Sequence, residues 1–213
     1  EDSGDDTVAI AKKYGAKIIH SQHEQNFHIT KNKAIDAAKM DWVLQLDADE
    51  VVSPELSREI KQTIIRQSDI HGYWLNRSNW FLYRFLTKGG QYPDPTLRLY
   101  RRGFGRLPAK DVHEQAVVKG EVGYLKNDLL HYRDTSFSKY LQGFDRYSSF
   151  IATKQTRLLF VPYYLTVKPI YIFLNIYLRH KGIVDGLAGF IFAIFSGLIY
   201  PVAAYKYIIK KLS

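Results

Sequence analysis

Between Gly186 and Tyr205 the chain runs for about 20 residues without a charge, the length a helix needs to cross the hydrocarbon core of a bilayer. Such a run either enters a membrane or is buried as the core helix of a larger domain. Gly189, Gly197 and Pro201 interrupt it. Both flanks are basic, with Arg179, His180 and Lys181 before it and Lys206, Lys210 and Lys211 after it. A single span carries its basic excess on one side, so two basic flanks fit a re-entrant or in-plane segment, both ends on the cytoplasmic face, better than a span. The preceding stretch, LLFVPYYLTVKPIYIFLNIYL, is rich in Tyr and Phe with Arg157 and Lys168 at hand, the make-up of an interfacial helix. The expectation is a helical, membrane-associating region over residues 136–213, opened by a helix near Ser136 with Phe137, Tyr140, Leu141, Phe144, Tyr147 and Ile151 as its apolar face.

Residues 1–135 read differently. TVAIAKKYG is a short helix closed by Gly15, AKIIH a strand, residues 30–39 a helix and DWVLQL a strand. Ser53-Pro54-Glu55 opens a further helix, with Leu56, Ile60 and Ile64 on one face. Alternation of this kind predicts a mostly parallel sheet covered by helices. Farther on, GYWLNRSNWFLY, PTLRLYRR, EQAVVKGEVGYL and DLLHYR read as strands and hairpins, with turns near Gly103 and Gly120.

At 46% hydrophobic and 15% aromatic residues, the chain has ample material for a core. Its net charge of +9 favours anionic partners: nucleic acid, phosphorylated sugars or an acidic membrane face. The basic residues gather in no nucleic-acid-binding motif, and the uncharged run has no use in one, so no nucleic-acid partner is expected. Without cysteine there are no disulfides or thiolate metal sites. The chain begins at Glu1 and its one methionine is Met40, so a trimmed chain is expected, and its first residues do not read as a signal peptide.

The chemistry concentrates in LQLDADE, where Asp47, Asp49 and Glu50 crowd the end of an apolar run. Residues two apart on an extended chain point the same way, which would aim Asp47 and Asp49 at one point past a strand's C-terminal end, where ligands bind in open α/β sheets. Two hard oxygen donors suit Mg²⁺ or Mn²⁺ shared with substrate phosphates. A surface turn with solvated acids is the plain alternative. Among Arg98, Arg101, Arg102 and Arg106, the forks of Arg98 and Arg102 are candidates for phosphate, against a solvated basic strand. Trp74, Trp80 and Tyr92 either stack on a sugar or belong to the core.

NKAIDAAKMDWVLQLDADEVVSPEL, continued by TLRLYRRGFGR, VHEQ, LLHYRD and RHKGIVDGLAGFIFAI, resembles the family 2 glycosyltransferases, especially the bacterial branch of lipopolysaccharide-core β-glucosyltransferases. The resemblance implies an α/β, GT-A fold with a Rossmann-like sheet flanked by helices, spanning residues 1–135 and here lacking its first strand. It implies that Asp47 and Asp49 form the D-x-D that binds a divalent metal and the diphosphate of a nucleotide sugar, a UDP-sugar first, with Asp49 the more direct ligand. His131 in LLHY corresponds to a C-terminal histidine on the metal or diphosphate, Glu114 in VHE to the catalytic base, and Asp2 to an acid that contacts the nucleotide base. The implied reaction is an inverting sugar transfer to a saccharide hydroxyl, the acceptor lipid-linked and the enzyme at the cytoplasmic face of the bacterial inner membrane. A polyprenyl-phosphate sugar synthase and a non-catalytic membrane protein of the same fold are the alternatives.

Overall fold

The structure, a computed structural model, describes residues 4–22, 24, 26–108, 115–154 and 161–212. It divides into two units. The first comprises Glu1–Asp47, Pro54–Leu75 and Pro95–Asn127, and the second Ala48–Ser53, Asn76–Asp94 and Asp128–Ser213.

The first unit opens with α1 (Thr7–Lys13), which buries no residue and stops at Gly15, whose φ of 73° an L side chain rarely adopts. Helix α2 (Phe27–Asp36) starts three residues before the sequence suggests, because the Asn26 side chain accepts a hydrogen bond from the His28 amide and caps the helix there. Its His28, Asn32 and Ile35 are buried at spacings of four and three. Asn32 ties the helix down by exchanging two hydrogen bonds with the Leu107 backbone, at 3.0 and 3.1 Å. Strand β1 (Trp42–Leu44) pairs antiparallel with β5 (Asp94–Arg101), Val43 opposite Tyr100. The first half of β3 (Ile70–Phe81) pairs parallel with β8 (Glu121–Tyr124), and β6 (Gly105–Arg106) pairs antiparallel with β7 (Val117–Val118). The core gathers Ile35, Leu97, Tyr100, Leu107 and Ala116. Tyr100 is wholly buried and lies on Gly105, where any side chain would strike its ring. Helix α3 (Pro54–Ile64) begins at the expected Ser-Pro-Glu and buries Leu56 and Ile60, each contributing about 1.5–3 kcal/mol.

In the second unit β2 (Glu50–Val52) pairs antiparallel with β9 (Leu129–Asp134), whose other side pairs parallel with the second half of β3; β4 (Arg84–Phe85) turns back on the end of β3. The helices follow: α4 (Phe137–Lys154), α5 (Val161–Leu165), α6 (Val167–Leu174), a wide turn at Asn175–Arg179, a tight one at Gly182–Asp185, and α7 (Gly186–Leu212). Phe81, Leu86, Tyr140, Ala188 and Phe192 form the core between the strands and these helices. The fully buried Asp185 carboxylate accepts hydrogen bonds from the Thr87 amide (3.0 Å), the Thr87 hydroxyl (2.7 Å) and the Lys88 amide (2.8 Å), locking the turn before α7 to the loop after β4.

Several expectations are corrected. AKIIH is not a strand: an apolar stretch becomes one only when its backbone finds a ladder, and no strand pairs with residues 16–20 among those described. The sheet is mixed rather than mostly parallel: β1–β5, β2–β9 and β3–β4 pair antiparallel, and β3 pairs parallel with β8 and β9. On α4 the buried residues are Tyr140, Ser148 and Ala152, while Phe137, Leu141 and Tyr147 are exposed. The glycines of α7 do not break it. A Cβ at Gly189 would collide with the Gly182 carbonyl oxygen, and one at Gly197 would lie 2.6 Å from that of Pro169, so both let backbones approach closely. Together with the turn before it, α7 (Gly182–Leu212) is long and apolar enough to cross a membrane, by length and composition.

Candidate active site

The D-x-D lies past the end of its strand, as the sequence suggests, but not on one extended segment. Strand β1 closes at Leu44, and Ala48 and Asp49 form a turn into β2, so the two aspartates are not successive same-side positions of one extended strand. Each has its own partners. Asp47 accepts from Arg98 Nη2 at 2.6 Å through one oxygen and from Lys31 Nζ through the other. Burial raises the Asp47 pKa, but the Lys31 hydrogen bond and the Arg98 charge outweigh it and hold the carboxyl below its ordinary value. Arg98 is buried in β5, and Lys31 stands on α2.

The remaining arginines separate by their contacts. Arg101 lies over the Trp42 ring, 4.9 Å from its centre, and Arg106 pairs with Asp36 at 2.8 Å. Arg102 is exposed in the turn after β5, its amide bonded to the Asp41 carbonyl. Of the four, Arg98 is the one that meets the D-x-D.

Asp49 belongs to a second group. The β2–β9 register sets Glu50 opposite His131, and the β9–β3 register sets His131 beside Asn79, forming a row of polar side chains across three strands. The Tyr132 amide donates to the Asp49 carbonyl at 2.8 Å and fixes the turn. Asp49 Oδ2 then stands 3.5 Å from His131 Nε2. On the other side of the ring, His131 Nδ1 is 2.6 Å from Asn79 Oδ1.

The Asn79 amide group donates to the Gln91 carbonyl (2.9 Å) and to Asp94 (3.0 Å), which leaves its oxygen for the histidine. His131 therefore carries its proton on Nδ1 and turns the Nε2 lone pair toward Asp49. Burial, aided by the positive charge of Arg77, lowers the His131 pKa against the opposing pull of Asp49 and Glu50, so the neutral ring is favoured. Behind it, Arg77 binds Asp94 at 2.9 Å and stands 3.6 Å from the buried Glu50 carboxylate.

A carboxylate oxygen and a bare imidazole nitrogen facing each other repel, unless a cation lies between them or a proton is shared. Among the described residues no three His, Cys, Asp or Glu side chains gather into a metal-holding group. The Asp49–His131 pair fits a hard divalent cation in another way: Mg²⁺ is commonly held by one or two protein donors, with water and substrate phosphates completing its shell. Asn79 is then the outer partner that orients the histidine.

Asp2 and Glu114 lie outside the described residues. Lys31, Arg77, Asn79 and Asp94 were missed from sequence. For Arg77 and Asn79 there was a signal, the polar run Asn76–Asn79 inside an otherwise aromatic strand; for Lys31 there was none. Trp74 stacks on Tyr124 and Trp80 packs on Phe85 and Tyr132, while the Tyr92 hydroxyl donates to Asp128 at 3.1 Å.

A family model, glycosyl transferase family 2, matches residues 1–112, more than half of the chain. The chain belongs to that family. This family 2 glycosyltransferase is 29% identical over 216 residues to a Rhizobium meliloti protein named lipopolysaccharide core biosynthesis glycosyltransferase LpsC, covering 93% of the chain and 77% of that protein. It is also 29% identical to an uncharacterized glycosyltransferase of Rickettsia typhi, over 89% of the chain and 69% of the relative. A TPR repeat-containing protein of Synechococcus elongatus shares 36% identity over 100 residues, 46% of the chain and 23% of that protein. The mixed α/β architecture of the transferase is that of the GT-A fold. Family membership implies a nucleotide-sugar donor and a saccharide acceptor.

Proposed function

We propose that this transferase is a divalent-metal-dependent, inverting hexosyltransferase of cell-envelope polysaccharide or lipopolysaccharide synthesis. It moves a sugar from a nucleotide donor, a UDP-sugar first, to a hydroxyl of a lipid-linked saccharide. The observation that carries the reading is the Asp49–His131 pair, with the histidine's tautomer set by Asn79 so that two metal-binding atoms converge. Asp49 and His131 would hold Mg²⁺ or Mn²⁺, which when bound supplies positive charge to the departing diphosphate.

The chain's own residues do the rest. Asp47 holds Lys31 and Arg98 in place, two cationic side chains of the kind that bind a diphosphate. Arg102, exposed beyond β5, is a further phosphate contact, and Asp2 contacts the nucleotide base. Glu114 takes the acceptor hydroxyl proton while the hydroxyl oxygen bonds to the anomeric carbon and the bond to the diphosphate oxygen breaks. The roles of Asp2 and Glu114 rest on the motif resemblance. The apolar run of α7 and its basic flanks support a seat on the cytoplasmic face of the bacterial inner membrane.

Calorimetric titration of UDP, GDP and dTDP with Mn²⁺ or Mg²⁺ tests the reading. Metal-dependent binding of one nucleotide, lost in Asp49→Asn, is expected. Binding that is indifferent to both metal and Asp49→Asn would refute the metal assignment.

A further inference from the structure

A second concave site lies in the helical part of the second unit. Helix α4, helix α6 with its wide turn, and α7 enclose a cavity of about 570 Å³. Its polar part is basic. Arg133, at the end of β9, and Lys139 and Arg146, on α4, line it together with the single carboxylate Asp134, which is bound to Arg133 at 2.7 Å. Lys139 and Arg146 are exposed and form no ion pair among the described residues. They lie four residues before and three after Gly143, on one face of the helix. A side chain at Gly143 would meet open space, so the glycine leaves the floor between the two cations bare.

The rest of the wall is apolar and aromatic. Phe144 and Tyr147 contribute from α4, Ile172 and Ile176 from α6 and its turn, Ile199 and Tyr200 from α7. Contacts outside the cavity hold this wall together. Lys206 of α7 donates to Asp145, Ser148 and Ser149 of α4. Phe195 packs edge-on against Tyr140 and Phe144.

Apolar surface continues outside the cavity. On α6, Val167, Ile170, Tyr171 and Leu174 are exposed at helical spacing; on α7, so are Leu187, Phe190, Leu198, Tyr205, Ile209 and Leu212. A cavity with cations along one side and apolar walls along the other, opening beside exposed apolar helix faces, matches an amphiphile with an anionic head.

We propose that this cavity binds a phosphate-bearing lipid, its phosphate held by Lys139, Arg146 and Arg133 and its chain lying between α4 and the α6–α7 pair. Charge complementarity selects the occupant: a net surplus of two positive charges faces the phosphate, and the apolar walls suit a hydrocarbon chain that a small hydrophilic anion lacks. The proposal rests on the membrane-borne acceptor above and names the chemistry by which the enzyme would select it.

Co-sedimentation of the full chain with vesicles tests it, comparing phosphatidylcholine alone with phosphatidylcholine doped with phosphatidic acid. The doped vesicles are expected to bind more tightly. Reversing two basic contacts in the K139E/R146E variant should weaken binding to them by about ten-fold or more while binding to plain phosphatidylcholine persists. Gly143→Leu should have the same selective effect without changing any charge. It fills open space with a better helix former, so loss of folding does not confound it.

Equal binding of both vesicles by the wild type, or a preference that survives both variants, would overturn the proposal and leave the membrane seat standing. Failure to bind either vesicle would overturn both. Competition by inorganic phosphate as effective as that by phosphatidic acid would make the site one for a free anion and overturn the lipid. Nucleotide titration of the same variants, expected to be unchanged, separates this result from the fate of the donor site.

Discussion

Replacing Asn79 with Leu tests the reading of the active site at the atom that orients it. The substitution keeps the branching and the number of heavy atoms of the side chain and removes the oxygen 2.6 Å from His131 Nδ1, together with the amide's donations to Gln91 and Asp94. Without that acceptor nothing on the Asn79 side favours the proton on Nδ1, and the Nε2–H tautomer becomes competitive because Nε2 then donates to Asp49, 3.5 Å away. Such a ring presents an N–H, not a lone pair, where a cation would bind. Loss of an outer partner of a metal-binding histidine typically weakens metal binding by 10–100-fold, which converts to about 1.4–2.7 kcal/mol. Two readouts check this. Nitrogen-15 spectra of histidine-labelled, metal-free protein are expected to report the Nδ1–H form in the wild type and a mixture or the other form in Asn79→Leu. Mn²⁺ titration is expected to show affinity falling within that range, with His131→Ala as the lower limit. A wild-type ring protonated on Nε2, or Mn²⁺ affinity unchanged in Asn79→Leu, would refute the reasoning.

Asp185→Ala leaves two amides and a hydroxyl without their buried acceptor and is expected to cost about 3–5 kcal/mol in denaturant unfolding. Asp185→Asn keeps one acceptor oxygen and should cost less; a loss under about 1 kcal/mol for the alanine variant would contradict the lock between the turn and the β4 loop. Glu59 accepts hydrogen bonds from the Lys126 and Asn127 amides and from the Asn127 side chain; burial raises its pKa, but these bonds prevail and hold the pKa below its ordinary value. A carboxyl lowered on folding stabilises above its unfolded pKa and loses that contribution as pH falls through the folded one. The melting-temperature gap between wild type and Glu59→Gln should therefore be full at neutral pH and close below about pH 4. A gap that does not change on acidification would count against the assignment.

Much of this protein was legible in one dimension. Apolar spacing and the Ser-Pro-Glu start announced α3, strand-forming runs bounded by turns marked β3, β5 and β9, and the uncharged run became α7. These are local properties, set by cap chemistry and periodicity. The linear D-x-D, LLHY and VHE pattern likewise carried the family.

What the linear pattern could not settle depends on partners far apart in sequence. AKIIH has strand-like residues and no ladder. The apolar side of α4 predicted from spacing is half exposed, because Ala203 and Tyr207 of α7, together with Phe192, select Tyr140 and Ala152 for burial. The glycines of α7 read as interruptions, and only the packed backbone of Gly182 and Pro169 shows them as points of close approach. Asp47 and Asp49 read as a matched pair, yet one is held by Lys31 and Arg98 and the other faces His131, whose proton is placed by Asn79, 52 residues away. By itself the sequence named Asp47, Asp49, His131 and Arg98 as candidates and left out Lys31 and Asn79, which hold two of them. The tertiary structure decided which atom of each is presented, because strand register and hydrogen-bond partners, not residue type, set a tautomer and the direction of a carboxylate.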